Sequence, residues 1–160
     1  MPNTFSILFI HHVSAVKYRH SLVLPTFEQR LYEYIGGIAR EMGQSALAVN
    51  GMPDHIHICA KLKPTIAPAD FIQKVKSYSS KWINEQRFLP NEFHWQTGGW
   101  TASVSPSGVD GLVHCIHGQK EHHKKKTFRQ EYLEFLKSSQ IEFRDEFLPE
   151  FFDNLFGNTE

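Results

Sequence analysis

Cysteine is nearly absent: Cys59 and Cys115 are the only two in 160 residues. Two thiols cannot make the disulfide framework of a small secreted scaffold, so they are expected to be reduced in a cytoplasmic protein. Long apolar runs are also missing, and no window approaches the ~18 consecutive apolar residues of a membrane span. The opening MPNTFSILFIHH has no basic stretch ahead of its apolar run, so a secretory signal is not expected. Internal repeats and low-complexity linkers are absent. So is net charge: Lys plus Arg and Asp plus Glu number 17 each. The basic surplus common among nucleic-acid binders is therefore missing on average. It returns locally, because residues 120–126 read KEHHKKK while the stretch from Glu131 onward is acid-rich.

What is present suffices for one folded unit. A 41% hydrophobic content over 160 residues can supply one sizeable core. We expect a domain over residues 1–148 and a tail over residues 149–160. Histidine is abundant, with ten residues, eight of them in clusters at His11-His12, His55-His57, His114-His117 and His122-His123. Such clusters suggest metal or phosphate chemistry.

The periodicity predicts a strand over 5–16, then a helix from Thr26, where Thr26 and Gln29 have capping-box spacing. Phe27, Leu31, Tyr34, Ile35 and Ile38 recur at helical spacing, and Gly36-Gly37 inside that stretch suggests close packing on a sheet. Strands follow over 45–49 and 55–62, separated by the turn residues 50–54. Pro68 suits the first turn of a helix running to about Gln86. A fourth strand over 93–104 is interrupted by Gly98-Gly99. A helix over roughly 109–122 and another from Thr127, with Gln130 at capping-box spacing, complete the order. The order β-α-β-β-α-β-α-α predicts an α+β fold, a ferredoxin-like antiparallel sheet of about four strands with covering helices and further C-terminal helices.

Two clusters carry candidate chemistry. In Asp54-His55-Ile56-His57-Ile58-Cys59, residues two apart share one face of a strand. His55 and His57 therefore project together and can ligate one divalent ion, while Ile56 and Ile58 face a core. The plainer alternative is a hydrogen-bonded or surface pair, with Cys59 a small buried hydrophobe. The second cluster is helical. Cys115 and Gln119 are four apart and share a face, so a nucleophile and a metal ligand could meet one phosphate there. Alternatively Val109, Val113 and Ile116 form a packing stripe and the polar residues are solvated.

Taken with LYEYIGGI (31–38), GMPDHIHI (51–58), KWINE (81–85), SVSPS (103–107) and QKEHHKKKTF (119–128), these clusters make the chain resemble the single-tyrosine HUH transposases of small insertion sequences that move as single strands, and their REP-associated relatives. The matching segments extend over about Phe5 to Leu148. The resemblance implies a homodimer that binds single-stranded DNA hairpins, with magnesium or manganese held by His55, His57 and Gln119. It implies cleavage by a tyrosine oxygen that attacks phosphorus, leaving a covalent 5′-phospho-protein link and a free 3′-hydroxyl. Lys120, Lys124, Lys125 and Lys126 are expected phosphate contacts, with Lys74, Lys76 and Lys81 as weaker candidates. Trp100, after two glycines, is the tryptophan expected to be exposed and to stack on bases.

The sequence departs from that pattern where it matters most. Cys115 stands at the position of the tyrosine, four residues before Gln119. Gly98 to Ala102 replaces a glycine-tyrosine-glycine stretch. Three consequences stay open: lost cleavage in a hairpin-binding protein, a thiolate nucleophile activated by His114, His117 or the metal, or substitution by Tyr132, whose alternative is core packing with Phe128 and Leu136. An unrelated metal-binding role for the histidine clusters is the remaining alternative.

Overall fold

The computed structural model describes residues 5–18 and 21–152. Strand β1 (Leu8–Ala15) is followed by α1 (Glu28–Glu41), β2 (Ser45–Met52), β3 (His55–Leu62), α2 (Pro68–Gln86) and β4 (Trp100–Val104). A 3₁₀ turn (Pro106–Gly108) leads into α3 (Val109–His117), α4 (Gln119–His122) and α5 (Phe128–Ser138), and a last 3₁₀ turn spans Asp145–Phe147. The sheet is antiparallel in the order β2-β3-β1-β4. This is the ferredoxin-like arrangement expected from the element order.

Both faces of the sheet are covered. On one, Ile10, Ile56, Ile58, Ala60 and Leu62 pack under α1 and α2, with Leu31, Ile35, Phe71, Val75 and Ile83 in the same cluster. The alternation along β3 then sends His55, His57 and Cys59 to the other face. There Val13, Ala15 and Trp100 pack against Phe128, Tyr132 and Leu136 of α5. Beside them Ala48 and Cys59 pack against Val109 and Ile116 of α3. The histidine pair thus lies under the C-terminal helices.

Helix α2 and strand β3 have their expected bounds, and other boundaries shift. Helix α1 starts at Glu28 behind Phe27, with no side-chain cap, so the predicted Thr26–Gln29 box does not form. The capping box at Thr127 and Gln130 does form and starts α5. Gly36 and Gly37 make no close approach to the sheet, because a Cβ at either would meet only the Arg40 guanidinium, 3.8 and 3.7 Å away. The fourth strand is shorter than predicted. Gly98 (φ 81°) and Gly99 (φ 143°) break it, leaving only a bridge between Trp95 and Val16 upstream. Gly99 is required there, since a Cβ would sit 2.7 Å from the Val13 carbonyl oxygen. The single helix expected over 109–122 is two, parted at Gly118. Part of the expected tail also packs on the domain: Phe152 is buried in the main core, and Phe151 lies against Phe128 and Tyr132. The rest of the tail, 153–160, lies outside the described residues, as do residues 1–4 of the expected domain.

Among the described residues no helix is long and apolar enough to cross a membrane.

Candidate metal centre

The centre is built from β3 outward. His55 and His57 are almost wholly buried, at 0% and 1% exposure. Each ring is fixed through its Nδ1. His55 Nδ1–H donates to Asp54 Oδ1 at 2.7 Å. His57 Nδ1 lies 2.8 Å from Nε2 of His11 on the neighbouring strand β1. Partners on the outer nitrogen orient a ring and select which nitrogen faces inward, as around many metal-ligating histidines. Here the Nε2 atoms face inward.

They meet donors from the C-terminal helices. Gln119, buried at the start of α4, places Oε1 3.4 Å from His55 Nε2. His123 Nε2 lies 3.0 Å from the same oxygen. Glu131, buried on α5, places Oε1 2.8 Å from His57 Nε2, 3.6 Å from His55 Nε2 and 3.4 Å from His123 Nε2. Its Oε2 lies 2.7 Å from His122 Nε2. One ligand atom each from His55, His57, His123 and Glu131 falls within 4.8 Å of all the others. Three imidazoles, a carboxylate and a nearby amide oxygen form a donor set that fits a divalent ion.

Burial sets the charges. It lowers His57 from its ordinary value to about 4, against the raising influence of Glu131 and helped by His55 and His123. It lowers His11 to about 3, with His57 adding to the effect. Burial alone would push Glu131 up, but its contacts with His123 and His57 overcome this and hold the carboxyl well below the usual range. A carboxylate beside a neutral His57 results, with a neutral His11 behind it.

The structure brings His55, His57 and Gln119 together. Cys115 is exposed on α3, one turn before Gln119, while Ile116 beside it turns into the core. His114 and His117 are also exposed. Tyr132 is buried with Phe128 and Leu136, and burial raises its hydroxyl to about 12. It is a core residue. Lys120 pairs with Glu28 at 2.9 Å, Lys124 with Glu121 at 2.8 Å, and Lys126 with Glu134. Lys125 is exposed. Lys76 is partly buried and donates to the carbonyl oxygens of Gln96 and Gly98, while Lys74 and Lys81 are exposed.

Trp100 corrects the expectation made for it. It is 7% exposed, stacked on Phe135 with ring centroids 4.6 Å apart and edge-on to His11. The two glycines before it turn the chain so that its ring enters the second core, and no face is left for a base. Asp54 and Glu131 line the centre and were not singled out from the sequence, and His11 and His123 were noticed there only as members of histidine clusters. Glu131 carried a signal: it is an acid on the same helical face as Phe128 and Phe135, where an unpaired charge would be costly.

Comparisons with known proteins bear on this geometry. The profile of the family described as Transposase IS200 like matches residues 4–119. The ISDra2 transposase TnpA of Deinococcus radiodurans is 30% identical over 71 residues, covering 44% of this chain and 51% of that protein. The chain thus matches about half the length of that curated relative. A crystal structure of a candidate transposase from Deinococcus radiodurans R1 aligns with a TM-score of 0.58 at 22% identity, covering 73% of this chain and 94% of that one. A REP-associated tyrosine transposase bound to a REP hairpin aligns with a TM-score of 0.57 at 17% identity, covering 72% and 68%. These two likenesses concern the fold. The family profile spans well over half of the sequence, and the chain belongs to the IS200-like transposase family.

Proposed function

We propose that this chain is a transposase-like protein that binds single-stranded DNA folded into hairpins, as a homodimer, and that its strand-cleaving step is lost. The residue at position 115 carries this reading. Cleavage in the manner implied by the resemblance needs an oxygen nucleophile that attacks phosphorus while the P–O3′ bond breaks and the departing oxygen takes up a proton. A tyrosine oxygen reaches several ångströms beyond its Cα. The Cys115 thiol is shorter by about the length of an aromatic ring, and productive attack tolerates misplacement of only ~1 Å.

The chain's residues otherwise keep a DNA-handling role. His55 and His57 hold the divalent metal, with Gln119 beside them, and the metal supplies charge neutralisation at a phosphate when bound. Nitrogen-rich donors favour manganese or zinc over magnesium, which prefers oxygen. Lys120, Lys124, Lys125 and Lys126 flank the centre and contact phosphates, giving salt-sensitive binding. The hairpin-bound REP-associated neighbour supports the choice of ligand.

The test incubates the natural protein and Cys115→Tyr with hairpin-bearing single-stranded DNA of an element end and manganese, then looks for a covalent protein–DNA adduct. Salt-sensitive hairpin binding by both proteins, with no adduct from the natural one, is the expected result. An adduct formed by the natural protein as readily as by Cys115→Tyr overturns the loss of cleavage. Absence of hairpin preference in both overturns the DNA reading.

A further inference from the structure

We propose that His123 and Glu131 complete, with His55 and His57, a closed four-donor site for a transition-metal ion of the zinc class, which clamps the C-terminal helices onto the sheet. The idea rests on the reading that His55 and His57 hold a metal, and not on DNA binding.

Lone-pair bookkeeping carries it. His55 uses its Nδ1 hydrogen on Asp54. His123 Nδ1 lies 2.8 Å from the Lys126 carbonyl oxygen. That oxygen only accepts, so Nδ1 holds the hydrogen. A neutral ring with hydrogen on Nδ1 has a bare lone pair on Nε2. His57 Nε2 donates to Glu131 Oε1 at 2.8 Å in the metal-free protein, and a cation would displace that proton. The three Nε2 atoms converge on this one carboxylate oxygen at 2.8, 3.4 and 3.6 Å. For His55 and His123, lone pair faces lone pair in a buried space, and a cation turns that repulsion and the His57 contact into four bonds. Around a tetrahedral ion with ~2.0 Å bonds, donors stand ~3.3 Å apart, and the three separations lie close to that. Gln119 stands beside this set rather than at one of its corners.

The site also has the character of a closed one. The four side chains are exposed by 0%, 1%, 4% and 4% in the order His55, His57, His123 and Glu131. Structural sites fill all four positions with protein, whereas catalytic sites leave one for water or substrate. Two of the four donors lie beyond residue 119, where the family profile ends. They come from the segment that covers the histidine face of the sheet. That segment packs on the sheet through Phe128, Tyr132, Phe135 and Leu136, and a bound ion would add a cross-link between β3 and α5.

The full-length protein, freed of metal with a chelator, is titrated with Zn²⁺, with Mg²⁺ as comparison, by competition against a chromophoric chelator and by thermal melting. One Zn²⁺ per chain, a raised melting temperature and no effect of Mg²⁺ are expected. Glu131→Gln and His123→Asn should each weaken uptake by about 100-fold or more, beyond the range of a lost outer-shell contact, while Lys137→Ala, an exposed position on α5, leaves it unchanged. Should those variants fail to fold, Co²⁺ in the natural protein decides: a four-coordinate ion absorbs strongly in the visible and a six-coordinate one weakly. Undiminished uptake by Glu131→Gln and His123→Asn alongside loss in His55→Asn, or a weak six-coordinate spectrum, overturns the closed site and leaves the His55–His57 metal standing. Failure of the natural protein to take up any of these ions overturns both.

Discussion

Acid should unfold the metal-free protein well above the pH at which its carboxylates titrate. His11, His12 and His57 are buried and lowered to about 3, about 3 and about 4. In the unfolded chain each returns to its ordinary value of ~6.5. The unfolded state therefore binds more protons between these limits, and stability falls as pH falls. It is fully present above ~6.5 and declines toward the folded values. From pH 7 to pH 5 each ring contributes ~2 kcal/mol of loss, and the three together ~6 kcal/mol. A domain has only ~5–15 kcal/mol in total. Glu131 acts in the opposite sense and elsewhere. Its carboxyl is held low in the fold, so its contribution persists above ~4.5 and fades only below that. Urea unfolding followed by circular dichroism at pH 7, 6 and 5, with chelator present, measures the effect. With a slope of ~2 kcal/mol/M, the midpoint should drop by ~3 M. His12→Gln keeps a polar group for Thr101, whose Oγ1 lies 2.6 Å from His12 Nδ1, and should remove about a third of the pH dependence. A midpoint that does not move between pH 7 and pH 5 would refute the burial of neutral histidines.

Other consequences can be checked directly. Trp100→Ala should cost ~3–5 kcal/mol of stability, as expected for emptying a core site, and leave the salt dependence of hairpin binding unchanged; thermal melts and binding isotherms separate the two. Thr127→Ala should cost ~1 kcal/mol by breaking the capping box that starts α5, measurable by urea unfolding. Lys125→Ala should lower the slope of log affinity against log salt by ~0.7 for a single-stranded contact, with no change in melting temperature.

Periodicity made much of the fold legible. β3 and α2 could be bounded because alternating Ile56 and Ile58 and a helix-opening Pro68 are local signals. The split at Gly118 and the shortened β4 were harder to see. The first depends on where α4 must turn to bury Gln119, and the second on the two positive-φ glycines before Trp100. The site was half legible for the same reason. His55 and His57 share a strand face by geometry that two residues reveal. His11 arrives from a strand paired through register. His123, just after α4, and Glu131, on α5, arrive from 66 and 74 residues further along the chain than His57. Only tertiary packing brings them together. Trp100 was misjudged because glycines before an aromatic suggest exposure, while here they redirect the ring inward.

Two features of the chain bear on the same reaction from different sides. Cys115 removes the reach of a phenolic oxygen, and α5 lays Glu131 over the histidines that a phosphate would have to approach. Either one alone would slow strand cleavage, since attack needs both a placed nucleophile and an open position at the metal. Neither touches the exposed Lys125, which lies in the turn between α4 and α5. On the proposed reading, DNA binding through the lysines and strand cleavage at the metal would be separable, because they would depend on different side chains. Restoring tyrosine at 115 addresses only the first obstacle. If the four-donor centre is closed as proposed, Cys115→Tyr alone should cleave poorly, and combining it with Glu131→Ala should raise adduct formation above either single variant in manganese. Equal adduct yields from Cys115→Tyr and the double variant would show that α5 does not guard the centre.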